Sequence, residues 1–330
     1  MTRYRVTRLP GNPVIRPGMD ARMGSNIQGP SVIRVPDWVK DPLGRYYCYF
    51  ADHKGDYIRL AYADAPEGPW QVHGPGSLAL PESLFPTVSP PVPADIASGD
   101  RLPGRAPDGT PGIPDPMEDA THPHIASPDV HVDDAKRRIV MYFHGLAGFR
   151  TQRSRVALSE DGLRFQALPD LLGPSYFRVF RHGGWTYALA MPGIMFRSKD
   201  GLTGFERGPT LFPGTQRHTA LRLRGDTLEV FWTRVGDTPE SILLSTVDLS
   251  GDWMGWRAEG EAVVLRPETD WEGAGLPLER SWRGAINHPV NQLRDPCILE
   301  ENGRVLLYYA VQGEAGIAVA ELTPGSQDRF

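Results

Sequence analysis

The chain has 330 residues, with 35 Lys and Arg against 40 Asp and Glu, a formal net charge of −5 and a pI near 6.0. That balance excludes the basic footprint by which proteins hold nucleic acid or an anionic membrane surface. No stretch approaches the roughly 20 apolar residues that cross a bilayer, and the opening MTRYRVTRLPGNPVIRPG lacks the apolar core of a secretory leader, so the chain reads as soluble and cytoplasmic.

Helical periodicity is nearly absent, whereas short aromatic and β-branched runs bounded by Gly, Asp and Pro recur from end to end. After RYRVTRL (3–9), one pattern returns five times: an aliphatic strand, a turn, an aromatic-rich strand, a polar loop and a third strand. The aromatic strands are RYYCYFAD (45–52), RIVMYFHG (138–145), WTYALAM (185–191), LEVFWTRV (228–235) and RVLLYYAV (304–311). Their followers are YIRLAYAD, SRVALSED, GIMFRSKD, SILLSTVD and GIAVAEL. Five such units predict an all-β, five-bladed β-propeller forming one domain over residues 1–330. The fifth unit lacks an outer strand after Leu322, and RYRVTRL is free to supply it, which removes an exposed edge. Two insertions, 74–123 and 266–293, interrupt the period and are expected over the mouth of the central channel. Cys48 and Cys297 each sit inside an apolar run, the place of a small buried hydrophobe rather than of a disulfide.

Because the chain reverses at every turn, the heads of the first strands, the loops between second and third strands and both insertions fall on one face. That face collects Asn26, Gln28, Ser31, His53, Lys54 and Asp56 from unit one, and His122, His124, Ser127, Asp129, His144 and Arg150 from unit two. It also collects Tyr176 and Arg178, then Arg217, His218, Arg234 and Glu240, then Asn291, Gln292, Arg294, Asp295, Gln312 and Glu314. Polar groups converging on a concave mouth near Trp and Tyr suit a sugar, and the carboxylates suit glycosyl transfer. Asp129 (SPDV) and Asp295 (RDPC) are expected at equivalent channel-facing places as the catalytic carboxylates, although Asp beside Pro also serves as a simple turn residue.

The runs GPSVIRV, GRYYCYFADHKGDYIRLAYADAPEGPW and SPDVHVDDAKRRIVMYFHG, with the closing RDPCILEENGRVLLYYAVQGEAGIAVAEL, resemble the five-bladed glycosidases. The resemblance is above all to family 43, with families 117 and 130 related in fold. It implies a glycoside hydrolase with an Asp base on blade one, an orienting Asp on blade two and a Glu acid on blade three. Asp129 matches the blade-two position, while blade one offers Asn26, Gln28 and Ser31 and blade three offers Tyr176 and Arg178. An acid is therefore sought on the second insertion, ETDWEGAGLPLER (268–280), with Glu279 favoured. Trp271 and Trp282 on that insertion are candidate sugar platforms, and Arg178, Arg217 and Arg294 are candidates for a substrate carboxylate or sulfate.

The expected reaction is metal-free, inverting hydrolysis of a terminal or short glycan unit, with no cofactor. Two alternatives stay open. One is a metal-dependent carbohydrate lyase or hydrolase, with one divalent ion held in the channel by His122, His124, His218 or His288 and Asp129; His53 and His144 share the face. The other is a carbohydrate-binding propeller without catalysis.

Overall fold

The computed structural model describes residues 4–97 and 116–325. Part of the first insertion, residues 98–115, lies outside the described residues. The strands are β1 (Tyr4–Arg8); β2 (Gln28–Arg34), β3 (Tyr46–Ala51), β4 (Tyr57–Ala63) and β5 (Gln71–Ala79); and β6 (Ile125–Asp133), β7 (Arg138–Gly148), β8 (Thr151–Ser159) and β9 (Gln166–Ala167). Then follow β10 (Arg178–His182), β11 (Trp185–Ala190), β12 (Ile194–Ser198) and β13 (Glu206–Thr210); β14 (Gln216–Arg224), β15 (Thr227–Arg234), β16 (Ile242–Asp248) and β17 (Ala258–Leu265); and β18 (Arg294–Glu301), β19 (Arg304–Ala310) and β20 (Ile317–Pro324). They form five four-stranded antiparallel sheets, the blades of a five-bladed β-propeller. β5 runs on to Ala79, into the span 74–123 expected to be insertion, because Ile58 and Tyr57 still find partners in Leu78 and Ala79.

The aromatic strands explain why the ring closes. A strand turns alternate side chains to opposite faces, and in a propeller each face belongs to a different neighbour. Tyr47, Tyr49 and Ala51 of β3 enter the core shared with blade two, whereas Tyr46, Cys48 and Phe50 enter the core shared with blade five. β7 divides Ile139, Met141 and Phe143 from Val140 and Tyr142 in the same manner, and β19 divides Leu306 and Tyr308 from Leu307 and Tyr309. Five apolar cores thus fill five interfaces between blades. Both faces of these strands are buried, so their sequences read as continuous apolar runs, and each fully buried large side chain contributes about 1.5–3 kcal/mol.

β1 pairs antiparallel with β20, Tyr4 opposite Pro324 through Arg8 opposite Ala320, so the first strand completes the last blade as the sequence implies. Its ends are tied elsewhere too. Tyr4 Oη donates to Glu229 Oε2 of blade four at 2.6 Å. Arg8 reaches the second insertion, with Nε 2.8 Å from Glu272 Oε1, Nη1 2.9 Å from Glu268 Oε2 and Nη2 2.9 Å from the Arg266 carbonyl.

A second regularity lies at the heads of the inner strands. Gly29, Ser127, Tyr176, His218 and Asp295, one from each blade, all have positive φ. In four blades this residue sits where the pairing with the next strand slips: between Gln28 and Ser31, Ala126 and Asp129, Arg217 and Thr219, and Arg294 and Cys297. Each slip is a bulge built on a left-handed residue.

Because Arg8 joins the closing strand to a fully buried carboxylate, Arg8→Ala should lower the free energy of unfolding by about 1–3 kcal/mol. Urea titration followed by circular dichroism checks this, with a native spectrum retained in the absence of urea.

Candidate active site

The left-handed residues aim the side chains that meet at the axis. Tyr176 Oη donates to Asp295 Oδ1 at 2.7 Å, and His218 Nε2 lies 3.5 Å from the same oxygen. Ring contacts continue the row: Tyr176 to His218 at 5.5 Å between centroids, His144 to Tyr176 at 6.3 Å and His124 to His144 at 6.2 Å. Arg178 lies over the Tyr176 ring at 4.0 Å, an attraction between a cation and a ring face. All these side chains are buried.

Four buried polar atoms in this group have no hydrogen-bond partner within the protein: Asp295 Oδ2, His124 Nε2, His144 Nδ1 and Arg178 Nη2. Buried polar groups are nearly always paired, so a cluster left to be satisfied from outside the protein is the mark of a binding site.

The electrostatics follow from burial. Burial pushes the Asp295 carboxyl up, the nearby Glu314 carboxylate pushes it further, and the Tyr176 hydroxyl and Arg217 only partly oppose them, so its pKa is raised to about 6. Burial lowers His124 to about 3 and holds His144 and His218 well below the usual imidazole range, with neighbouring cations adding to the effect. These rings are neutral. Arg217 donates to His218 Nε2 from Nε at 3.1 Å and Nη2 at 3.0 Å, which places the His218 proton on Nδ1, 3.1 Å from Thr233 Oγ1. Nδ1 of His124 donates to the His122 carbonyl at 2.7 Å, leaving Nε2 as its basic nitrogen.

Around this group runs a buried ionic network that anchors the second insertion. Arg294 Nη1 binds Glu314 Oε1 at 2.7 Å and the Gly284 carbonyl at 3.2 Å, and its Nε and Nη2 bind Gln292 Oε1 at 3.1 and 2.7 Å. Arg217 Nη1 binds the Trp282 carbonyl at 2.5 Å, and Glu240 Oε2 lies 3.7 Å from Arg217 and 3.4 Å from Arg294. Burial pulls Arg217 down to about 10 against the pull of Glu240, with Arg294 adding to the fall. Glu314 takes further bonds from Asn26 Nδ2 at 2.8 Å and His53 Nδ1 at 3.2 Å. Burial would raise its pKa, but His53, Arg294 and Arg217 outweigh that and hold it far below the carboxylate range. Asn26 also binds the Ile286 carbonyl and the His53 amide.

The expected residues divide accordingly. Asn26, His53, His124, His144, Tyr176, Arg178, Arg217, His218, Gln292, Arg294 and Asp295 come together. Gln28 is buried at the head of β2, opposite Ala51. Lys54 turns to Asp119, its Nζ 2.6 Å from Oδ1, and secures the helix Pro116–Thr121. Asp129 is not equivalent to Asp295. The left-handed positions are Ser127 and Asp295, so Asp129 corresponds to Cys297, two residues further along its strand. It therefore lines a separate chamber of about 340 Å³ with His131, Arg178 and Cys297. There its Oδ2 accepts from His131 Nε2 at 2.7 Å and from the Val179 amide at 2.8 Å. Burial raises its pKa, but His131, Arg178 and Val179 outweigh it and keep Asp129 ionised. Glu279 stands partly exposed, 3.1 Å from His288 Nε2, and Trp282 Nε1 donates to the Ala285 carbonyl at 3.1 Å. Of the arginines expected to bind a substrate anion, Arg217 and Arg294 already direct their N–H groups to carboxylates, carbonyls, Gln292 and His218, whereas Arg178 keeps Nη2 unpartnered. Among the described residues, no group of three or more His, Cys, Asp or Glu side chains is arranged to hold a metal ion. Sequence reasoning placed Glu240 and Glu314 at the mouth without giving them a role; both lie in polar loops after aromatic strands and carry no local motif.

No protein-family model matches the chain. Among solved structures, it superposes on a putative glycoside hydrolase from Parabacteroides distasonis with a TM-score of 0.60 at 12% identity, covering 100% of this chain and 98% of the other. It superposes on a structure from the GH130 family of mannoside phosphorylases, which contains glycoside hydrolases that target β-1,2 mannosidic linkages in Candida mannan, with a TM-score of 0.61 at 13% identity over 98% and 96%. A GH43_1 enzyme from Xanthomonas citri gives 0.55 at 11% identity over 93% and 90%. These likenesses show a shared fold. In sequence, the chain is 36% identical over 346 residues to uncharacterized protein R118 of Acanthamoeba polyphaga mimivirus, across 96% of this chain and 90% of that one. The chain thus belongs to the same family as that mimivirus protein, on the five-bladed propeller that glycoside hydrolases of families 43 and 130 share.

Proposed function

We propose that the protein is a glycoside hydrolase with Asp295 as general acid. The observation that carries this reading is one carboxyl: buried, raised to about 6, held at one oxygen by Tyr176 and with its other oxygen unpartnered in the protein. A carboxyl whose pKa is raised toward neutrality retains a proton well above the usual carboxylate range, which is what departure of a sugar alkoxide needs. Neutral His124 and His144, with free ring nitrogens, suit sugar hydroxyls.

The base is His53. Glu314 Oε1 holds the proton on His53 Nδ1 at 3.2 Å, and Nε2 is left to take a proton from water. In the step, Asp295 gives its proton to the glycosidic oxygen as the bond from that oxygen to the anomeric carbon breaks. Water adds to the anomeric carbon from the opposite face and its proton passes to His53. An acid on one side of the sugar and a water-activating base on the other would give inversion. The prior commitments of Arg217 and Arg294 favour water over an anionic acceptor such as phosphate.

A glycan panel assayed with and without inorganic phosphate tests the reading: sugar release independent of phosphate supports it, and glycan retained without release marks a binding protein instead. On the substrate so found, Asp295→Asn should lower kcat by about 10²–10⁴-fold with an unchanged melting temperature; wild-type turnover would remove Asp295 from the mechanism.

The pH profile is a separate check. An acid must be protonated, so kcat/KM should fall as pH rises through about 6. Tyr176 stabilises the Asp295 carboxylate, so Tyr176→Phe should move that limb to higher pH. Glu314 destabilises it, so Glu314→Gln should move the limb to lower pH. Shifts of the same sign in both variants would refute the assignment of the limb to Asp295.

A further inference from the structure

A second feature of the mouth shares Glu314 and Asn26 with the network around Asp295. A cavity of about 320 Å³ opens between the N-terminal segment, the second insertion and the loop after β19. Its apolar wall includes Trp271, Ile286 and Val311, and its polar rim includes Arg16, Asn287 and Gln312. Glu314 and Asn26, which belong to the catalytic network, form part of the wall.

Three facts suit this cavity to a ligand. Trp271 is only half-buried, so an indole is offered rather than enclosed. The rim has spare hydrogen-bonding capacity: Asn287 uses its oxygen on Asn26 and keeps its amide hydrogens, Gln312 donates to the Asp270 carbonyl and keeps its oxygen, and Arg16 is exposed. Gln312 also sits in the left-handed region at φ +50°, and strain of this kind concentrates at ligand clamps.

We infer that this cavity is an accessory subsite for a further neutral sugar ring of the substrate, with one ring face on Trp271 and its hydroxyls on Asn287, Gln312 and Arg16. The inference rests on the carbohydrate reading above and adds to it that the substrate has at least two sugar units. An apolar wall with a ring of donors and acceptors matches a pyranose, whose faces are C–H-rich and whose edges carry hydroxyls. Glu314 links the two places. It is the carboxylate that raises Asp295, and it also walls the cavity, so occupancy there bears on the acid.

The test uses the full chain with Asp295→Asn to prevent turnover, labelled with 5-fluorotryptophan; the Trp271 resonance is assigned by its loss in Trp271→Phe. Mono- to tetrasaccharides of glucose, mannose, galactose, xylose and arabinose are titrated. The expected result is a saturable shift of the Trp271 signal with at least one di- or longer saccharide. A roughly tenfold loss of affinity by calorimetry is expected in Trp271→Ala, equivalent to about 1.4 kcal/mol. Because Trp271 packs against the blade-five core, Arg16→Ala serves as the fold-safe variant and should weaken the same ligand. Binding or Asp295-dependent turnover with an unmoved Trp271 signal and unchanged affinity in both variants overturns the subsite and leaves the catalytic reading standing. No binding of any saccharide, together with no turnover by the wild-type chain, overturns both.

Discussion

Left-handed backbone at the head of each inner strand governs what meets on the axis. A non-glycine residue there costs on the order of 1–3 kcal/mol, and four blades of this chain accept that cost, at Ser127, Tyr176, His218 and Asp295. The conformation holds because the chain on either side is fixed, by the slip in pairing at Ser127, His218 and Asp295 and by the cores between blades. Tyr176 and Asp295 come to 2.7 Å of each other although 119 residues apart, each delivered by the same local device in a different blade. The device also separates carboxylates. A residue two places beyond it, such as Asp129, faces a different part of the channel.

Burial, with the Glu314 carboxylate nearby, then decides the state of Asp295. Arg217 and Arg294 are buried beside Glu240 and Glu314, two cations with two anions, so the network is neutral before Asp295 is counted. An additional buried anion would need a further cation, and Arg178, a third buried guanidinium, is oriented by its stacking on Tyr176 and its bonds to the Thr219 and Ser127 carbonyls. Retaining a proton is the remaining way to lower the electrostatic cost, and the raised pKa expresses it. Arg217 and Arg294, which looked like substrate ligands in the sequence, are committed to this network, and Arg217 only partly offsets the rise that burial and Glu314 impose on Asp295.

The fold was legible because its signals are periodic. Alternation in YYCYF and LLYYA reports two buried faces, the spacing of these runs counts blades, and the missing strand after Leu322 points back to RYRVTRL. The second insertion was equally plain, since 266–293 fills the interval between β17 and β18. The convergence of the candidate residues was legible by topology, which put Asn26, His53, Tyr176, His218, Asp295 and Glu314 on one face. What the sequence hid was register. Gly-Pro, Ser-Pro and Asp-Pro at 29–30, 127–128 and 295–296 mark three of the bulges, so their alignment carried the information that Asp295 matches Ser127 and not Asp129. Tyr176 and His218 have no following proline and gave no such mark. Glu279 failed for a simpler reason: position on an insertion says little about which way a loop side chain turns, and this one turns to His288.

Neutrality of the histidines completes the logic. Charged imidazoles beside Arg178, Arg217 and Arg294 would add repulsion in a place where water does not screen it, and burial removes their protons instead. A neutral imidazole offers one donor and one acceptor, the pattern of a hydroxyl, and in His124 the donor is already committed to the His122 carbonyl while the acceptor is free. The axis therefore presents a carboxyl with a raised pKa, one phenol, neutral imidazole rings and the free Nη2 of Arg178 to whatever enters. Such a set of donors and acceptors reads a ligand by where its hydrogen-bonding groups point.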